Sequence, residues 1–527
     1  MSKYEKTKLR SLRFGVASAV FGLLAVGALT IAAPAKAETT VTLAQGIDPE
    51  GLDPAYETLI SSRSIFTNIY DTLVWRDAKG KLLPSLAESW EWLDETSLQL
   101  NLRKGVKFHN GDPFTADDLI WTANRYMDKE DRKPLYSYVK GLYKTIEKKD
   151  DHTVVMHLAK PNAMQFGDFA RMPVLPKKAF LAMGKVKFSA SPIGTGPFKF
   201  ERWDRNEQLV LAAFDDHWRG RPSVDKYVIK PIPEDFARFA ALKTGAVDII
   251  ANLPPERVAE LDKDAGLKVG RVPSARGIHY AFNINIKPYS DVRVRQAINH
   301  AVDVQEIIDT VLGGMAYVNP AFCAKALFGH DPKVAPFKHD TAKAKKLLAE
   351  AGYPNGFKTK LLTPTGRYMK DREVSLAIAG QLAKVGIQVD VVAPEWADFL
   401  DQLYGRGKHG TKRIEDAFQG MYMLGTGGPT LDCGRTLNQR AKWNGGRMKY
   451  YHTDRSEKLD AMIAEQKATL DVGKREEMFK KIQAFIHEDV PWIFLYDQED
   501  LYGLTKRIQW QPRPDEFVWI YDVKVKE

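Results

Sequence analysis

The chain has 527 residues, of which 44% are apolar and 27% charged, with only two cysteines. This balance excludes a disordered polymer and a small disulfide scaffold, and the length exceeds what one hydrophobic core serves, so two or three domains are expected. The formal net charge of +10 invites a nucleic-acid reading, but half of it lies in the first 37 residues and no Lys/Arg stripe or helix-turn-helix pattern follows.

Lys3, Lys6, Lys8, Arg10 and Arg13 precede an apolar run from Phe14 to Ile31, and Ala35-Lys36-Ala37 then supplies a small-x-small cleavage site. Residues 1–37 read as a secretory signal with the mature chain starting at Glu38, which predicts a periplasmic protein. No later segment offers the roughly 18 apolar residues a spanning helix needs. The first cysteine is Cys323, far from the cleavage point, so no lipid anchor is expected. Cys323 and Cys433 form either a disulfide or two separate thiols, since sequence does not give their separation.

Trp90 and Trp92, then Leu98, Leu100 and Leu102, alternate with polar residues around Asp94-Glu95-Thr96, which predicts a hairpin with one buried face. Asn110-Gly111-Asp112-Pro113 makes a second turn, and Thr115 with Asp118 forms a capping-box start for a helix through Met127. Strands are predicted at Leu209-Leu211, Tyr227-Ile229 and Val247-Ile250, with a helix from Glu234 to Thr244 stopped by Gly245. Helices follow over Val292-Ala301 and Thr341-Ala351. The strand Lys358-Leu362, the helix Asp371-Val385 and the strand Ile387-Val392 then make a β-α-β unit. No Ser/Gly/Pro-rich linker divides the chain, which argues for lobes joined by several crossings.

Four segments carry a resemblance: Ala87 to Arg125, then Gly194-Thr195-Gly196-Pro197-Phe198, Asp291-Val292-Arg293-Val294-Arg295-Gln296-Ala297, and Pro491-Trp492-Ile493-Phe494-Leu495-Tyr496. In this order they resemble the motifs of family 5 extracytoplasmic solute-binding proteins, the dipeptide, oligopeptide and nickel receptors of ABC importers. The resemblance implies an α/β, two-lobed periplasmic binding protein fold (type II, large cluster) with an extra inserted α+β domain. Lobe I is expected at 38–72, 190–285 and 497–527, the extra domain at 73–189 and lobe II at 286–496. It also implies a monomeric receptor that passes its solute to an inner-membrane ABC permease.

Three segments are expected to line the ligand cleft. In the first, Tyr56, Glu57 and Thr58 stand nearest the ligand by analogy; an ordinary capped loop is the other reading. In the second, Arg367, followed by Tyr368, matches the arginine that pairs with the ligand carboxylate in dipeptide receptors, a role suited to the two parallel donors of a guanidinium. In the third, Met423 or Leu424 takes the place of the family's tryptophan, and Thr426 that of the aspartate that holds a peptide ammonium. A buried ammonium needs a carboxylate, so Glu57 or Asp432 substitutes, or the ligand has no free amine there. The expected ligands are a short peptide, then an opine or related amino-acid conjugate, then an oligosaccharide; no histidine cluster supports a metal, and no cofactor is expected. The sequence carries no G-x-S-x-G elbow, phosphate loop, H-E-x-x-H helix or C-x-x-C pair, so no catalytic residues are assigned. A secreted hydrolase and a peptide-holding chaperone are the readings from other classes.

Overall fold

Two long strands organise the molecule. Leu267–Phe282 has sixteen residues and Trp492–Thr505 fourteen, and they pair antiparallel from Leu267 opposite Thr505 to Ala281 opposite Trp492. At about 3.3 Å per residue the longer one reaches about 50 Å, more than one core is wide. Accordingly, its residues change core along its length. Leu267 and Leu501 pack with Phe239, Leu242 and Leu261, and Val272, Tyr502 and Leu504 with Val41, Leu209 and Tyr227. Ala275 to Phe282 and Trp492 to Tyr496 instead join a large cluster with Ile298, Leu362, Ile378 and Phe479. The change falls between Val272 and Ala275 on one strand and between Tyr496 and Leu501 on the other. Between Pro273 and Gly277 the pairing slips, so residues 274–276 bulge at this crossing.

This computed structural model describes residues 38–57, 59–128, 139, 141–365, 367–395, 398–399, 402–403, 418–427, 430–438 and 456–526. The leader expected over 1–37 lies outside them. The main sheet runs Gln388–Val392, Lys358–Leu362, Gly420–Gly427, Leu267–Phe282, Trp492–Thr505, Ile249–Ala251, Thr40–Gln45, Lys226–Pro231, Gln208–Ala213 and Phe198–Asp204, with Ala316–Val318 paired to the side of Trp492–Thr505. Lys358–Leu362 and Gln388–Val392 are parallel and joined through the helix Asp371–Ala383, the β-α-β unit expected from the sequence. A separate four-stranded sheet, in the order Ala87–Trp92, Ser97–Leu102, Thr153–His157 and Thr145–Asp150, packs with the helix Ala116–Met127 around Leu98, Leu100, Phe108 and Tyr126. Thr115 and Asp118 form the capping box at that helix start. The strand expected at Val247-Ile250 starts later, at Ile249, because the amides of Ala246 and Val247 both turn back to the Ala241 carbonyl at 2.9 and 3.3 Å and extend the helix C-terminus.

Two of the four sequence motifs pack on one turn. Gly196 lies so close to the end of the helix Ile60–Ile69 that a Cβ there would stand 2.5 Å from the Ile69 carbonyl carbon. His109, from the Ala87–Arg125 run, reads the same turn with both ring nitrogens. Nδ1 accepts from Gly194 N–H at 3.2 Å, and Nε2 donates to the Gly196 carbonyl at 2.9 Å. The imidazole is therefore neutral, and burial pushes its pKa from the ordinary 6.5 down to about 4.

Acid should weaken this contact. As pH falls from 6.5 towards 4 the unfolded chain gains a proton that folded His109 does not, removing at most about 3 kcal/mol. Asp497 works in the opposite sense, since burial pushes its carboxyl up to about 7, so its contribution is present in acid and lost as pH rises through 7. Asp497→Asn should therefore steepen the loss of stability between pH 7 and 4.5, read as urea midpoints against the wild type. An equal slope in both proteins would contradict the opposing terms.

Candidate functional site

The first expected wall is pinned from behind. Asp53, 1% exposed, is held bidentately by Arg125 from the helix Ala116–Met127 and also accepts Ala55 N–H at 3.1 Å. That fixes the loop carrying Tyr56, whose half-buried ring has Lys185 Nζ 3.8 Å from its centre. Glu57 is buried, and its Oε1 accepts Leu59 N–H at 2.9 Å, the capped-loop arrangement. Thr58 lies outside the described residues.

In the second wall, Asp371 opens the helix Asp371–Ala383, and its Oδ2 accepts the backbone amides of Arg367 and Tyr368 at 2.9 and 3.1 Å. The backbone is thereby tied down by Asp371, while the Arg367 side chain stays exposed, its guanidinium 5.2 Å from the Tyr368 ring centre. The Tyr368 ring is buried directly over the strand Gly420–Gly427: a Cβ on Gly425 would stand 2.5 Å from Tyr368 Cε1 and 3.0 Å from Arg276 Cδ. Glycine is required there by this double approach.

The third segment divides. Met423 is fully buried with its sulfur 3.3 Å from Thr363 Oγ1, and Leu424 is 3% exposed. Both belong to the large core, as does Tyr368. Thr426 is buried, with its hydroxyl unpartnered among the described residues. Asp432 has both carboxylate oxygens on Arg475, at 2.7 and 2.9 Å, and caps the helix Cys433–Asn438 through Gly434 N–H at 2.8 Å. Next to it, Cys433 is joined to Cys323 by a disulfide whose Cα atoms are 5.5 Å apart, so the two-thiol alternative does not hold. Helix Cys433–Asn438 also meets the four-stranded-sheet region, where Arg435 lies 3.5 Å from Asp168.

Tyr368 and the Gly420–Gly427 strand are thus brought together at the crossing of the long strands. Three charged residues that sequence reasoning missed join them there. Arg276, on the bulge, donates to Glu516 at 2.7 Å. Asp500 lies beside both: burial and the Glu516 charge hold its carboxyl well above the usual range, against the pull of Arg276. One signal was available. Asp497-Gln498-Glu499-Asp500 interrupts an otherwise apolar strand, and carboxylates in a strand interior need a partner.

Comparison with known proteins agrees with this architecture. Residues 81–445 match the model of bacterial extracellular solute-binding proteins, family 5 Middle. The dipeptide-binding protein of Escherichia coli (strain K12) is 29% identical over 511 residues, covering 90% of this chain and 92% of that protein. The structure of HbpA2 from Haemophilus parasuis superposes with a TM-score of 0.82 at 26% identity, covering 93% of this chain and 100% of the other. AgaA from A. tumefaciens R10, solved with agropinic acid, gives a TM-score of 0.74 at 26% identity, covering 93% of this chain and 99% of the other. With its two-core strand crossing, its mixed α/β sheet and a family match over most of its length, this chain belongs to family 5 of the bacterial extracellular solute-binding proteins, the substrate-binding components of ABC importers.

Proposed function

We propose that the protein captures a short peptide or amino-acid conjugate at the crossing of its long strands and delivers it to an inner-membrane ABC permease. The observation that carries the ligand class is Arg367. It is an exposed side chain on a loop whose backbone amide is held by Asp371, beside Tyr368, and a guanidinium has the two parallel donors that suit a carboxylate. The dipeptide-binding relative supports a peptide, and the agropinic-acid complex keeps an opine as the second reading. An oligosaccharide has weaker support, since many of the tryptophans sit in packed aromatic pairs, such as Trp75 with Trp519 at 4.3 Å.

In this reading the extra domain is the segment around 73–189, lobe I is 38–72, 190–285 and 497–527, and lobe II is 286–496. A change of apolar cluster between Val174 and Leu175 supports a boundary in this part of the chain. The chain acts as a periplasmic monomer after removal of residues 1–37, without cofactor, metal or catalytic turnover. N-terminal sequencing of protein from the periplasm should begin at Glu38.

The ligand is tested by native mass spectrometry of protein purified without refolding, followed by calorimetry. An adduct of peptide or conjugate mass is expected. Arg367→Ala should weaken binding of a carboxylate ligand by about tenfold or more. Unchanged affinity would remove Arg367 from the site, and hydrolysis of the bound peptide would replace the receptor reading by an enzymatic one.

A further inference from the structure

The four-stranded-sheet unit meets the rest of the molecule through two joints of different chemistry. One is apolar and aromatic. Ile193 packs against both its core and the core of Val41, Leu209 and Tyr227. Trp75 stands 4.3 Å from the Trp519 ring centre, and the Arg103 guanidinium lies 4.3 Å over the Trp218 ring. Such a joint separates only by exposing apolar and aromatic surface to water.

The other joint, to the large core, is polar and thin. Asp168, on the short helix Gln165–Phe169, lies 3.5 Å from Arg435 of the helix Cys433–Asn438. Ala163 N–H donates at 2.8 Å to the carbonyl of Lys467, near the end of the helix Ser456–Ala468. A Cβ on Gly80 would stand 3.5 Å from Leu431 Cδ1. Among the described residues no apolar side chain belongs to both cores, and water can replace an ion pair and a hydrogen bond. Both faces are braced from within. Asn162 accepts Met164 N–H at 3.2 Å on one side. On the other, Arg475 holds Asp432 at 2.7 and 2.9 Å and donates to the backbone and side-chain oxygens of Gln466, each at 3.2 Å. Two preformed faces joined by polar contacts can part and rejoin without remodelling either.

We propose that Asp168 and Arg435, backed by the Ala163–Lys467 bond, form a latch that favours the closed receptor without contacting the solute. None of the four lies on the two long strands. The aromatic joint keeps the four-stranded unit with the Val41 core, so turning about the strand crossing makes or breaks the polar joint. The inference rests on the two-lobe receptor reading and goes beyond it: part of closure comes from the protein itself, every solute gains the same increment, and selectivity is untouched.

The test compares the full mature protein with Asp168→Asn, which keeps the size and removes the charge, and with Arg435→Gln, which acts from the other side. Small-angle scattering without solute should give both variants a larger radius of gyration. Hydrogen exchange should quicken at the Ala163 amide and not in the strand Ser97–Leu102. The double variant should add little to either single one, as for two partners in one contact. In calorimetry with a panel of dipeptides, each one bound should weaken by a common factor of about three or more. Scattering and Ala163 exchange unchanged in both variants would overturn the latch, as would weakening of some dipeptides and not others. Thermal melts confirm folding, and if one variant fails to fold the other carries the test. If no dipeptide binds wild type, the peptide reading falls while scattering and exchange still decide the latch. If a bound dipeptide leaves the variants as expanded as before, the two-lobe closure falls, and the latch with it.

Discussion

Arg295→Ala is expected to destabilise the protein by about 3–5 kcal/mol, the size of a broken buried charge network. Arg295, 2% exposed, lies in the helix Val292–Ala301, and its guanidinium donates to the carbonyls of Tyr289 (2.7 Å), Ser290 (3.4 Å), Asp489 (2.7 Å) and Val490 (3.0 Å). Asp489 ends the helix Val472–Asp489, and Val490 follows it with a φ of 49°. The arginine therefore caps that helix by satisfying its last carbonyls and placing a cation at its negative end. Four residues on, Asn299 donates to the Trp492 carbonyl at 2.8 Å and accepts Phe494 N–H at 3.1 Å. Two motifs far apart in the chain thus meet, one capping the entry into the other. Arg295→Lys retains the charge but not the planar fork and should fall between wild type and alanine. Urea unfolding decides the matter: a loss below about 1 kcal/mol would mean that water replaces the guanidinium at those carbonyls.

Opening the Cys323–Cys433 bond should lower stability by about 2–5 kcal/mol, because it closes a loop of 110 residues and so restricts the unfolded chain strongly. Both cysteines are fully buried, so the Cys323→Ala, Cys433→Ala pair is cleaner than serine, which would bury unpaired hydroxyls. Reductant added to wild type should shift the urea midpoint by a similar amount and leave the double variant unmoved. A midpoint insensitive to both would show that the surrounding core holds the two segments without the bond. Ligand affinity should fall less than stability, since Asp432 keeps its own grip on Arg475.

The fold was readable where local rules act alone. Thr115 with Asp118 marked a helix start, and Gly245, with a φ of 72°, marked a helix end. The site was less readable, for a physical reason. Arg276 and Glu516 are separated by 240 positions and meet only because the long strands bring the bulge and the C-terminal segment to one place. Burial of the central strand was readable as well: Met421 to Leu424 is an unbroken apolar run, the mark of a strand covered on both faces. All four are buried in the structure.

The slipped pairing at 274–276 has a mechanical consequence. In the two-lobe reading, a group bound at the crossing stands at the pivot, where rotation of one lobe against the other moves it least. Contacts made there are nearly equal in open and closed protein, and a ligand bound equally in two states shifts neither. A group held at the crossing therefore serves capture, whereas closure must draw on contacts farther from the pivot. Capture and closure would then separate kinetically, contacts at the crossing governing how readily a solute is admitted and contacts away from it how long it is retained.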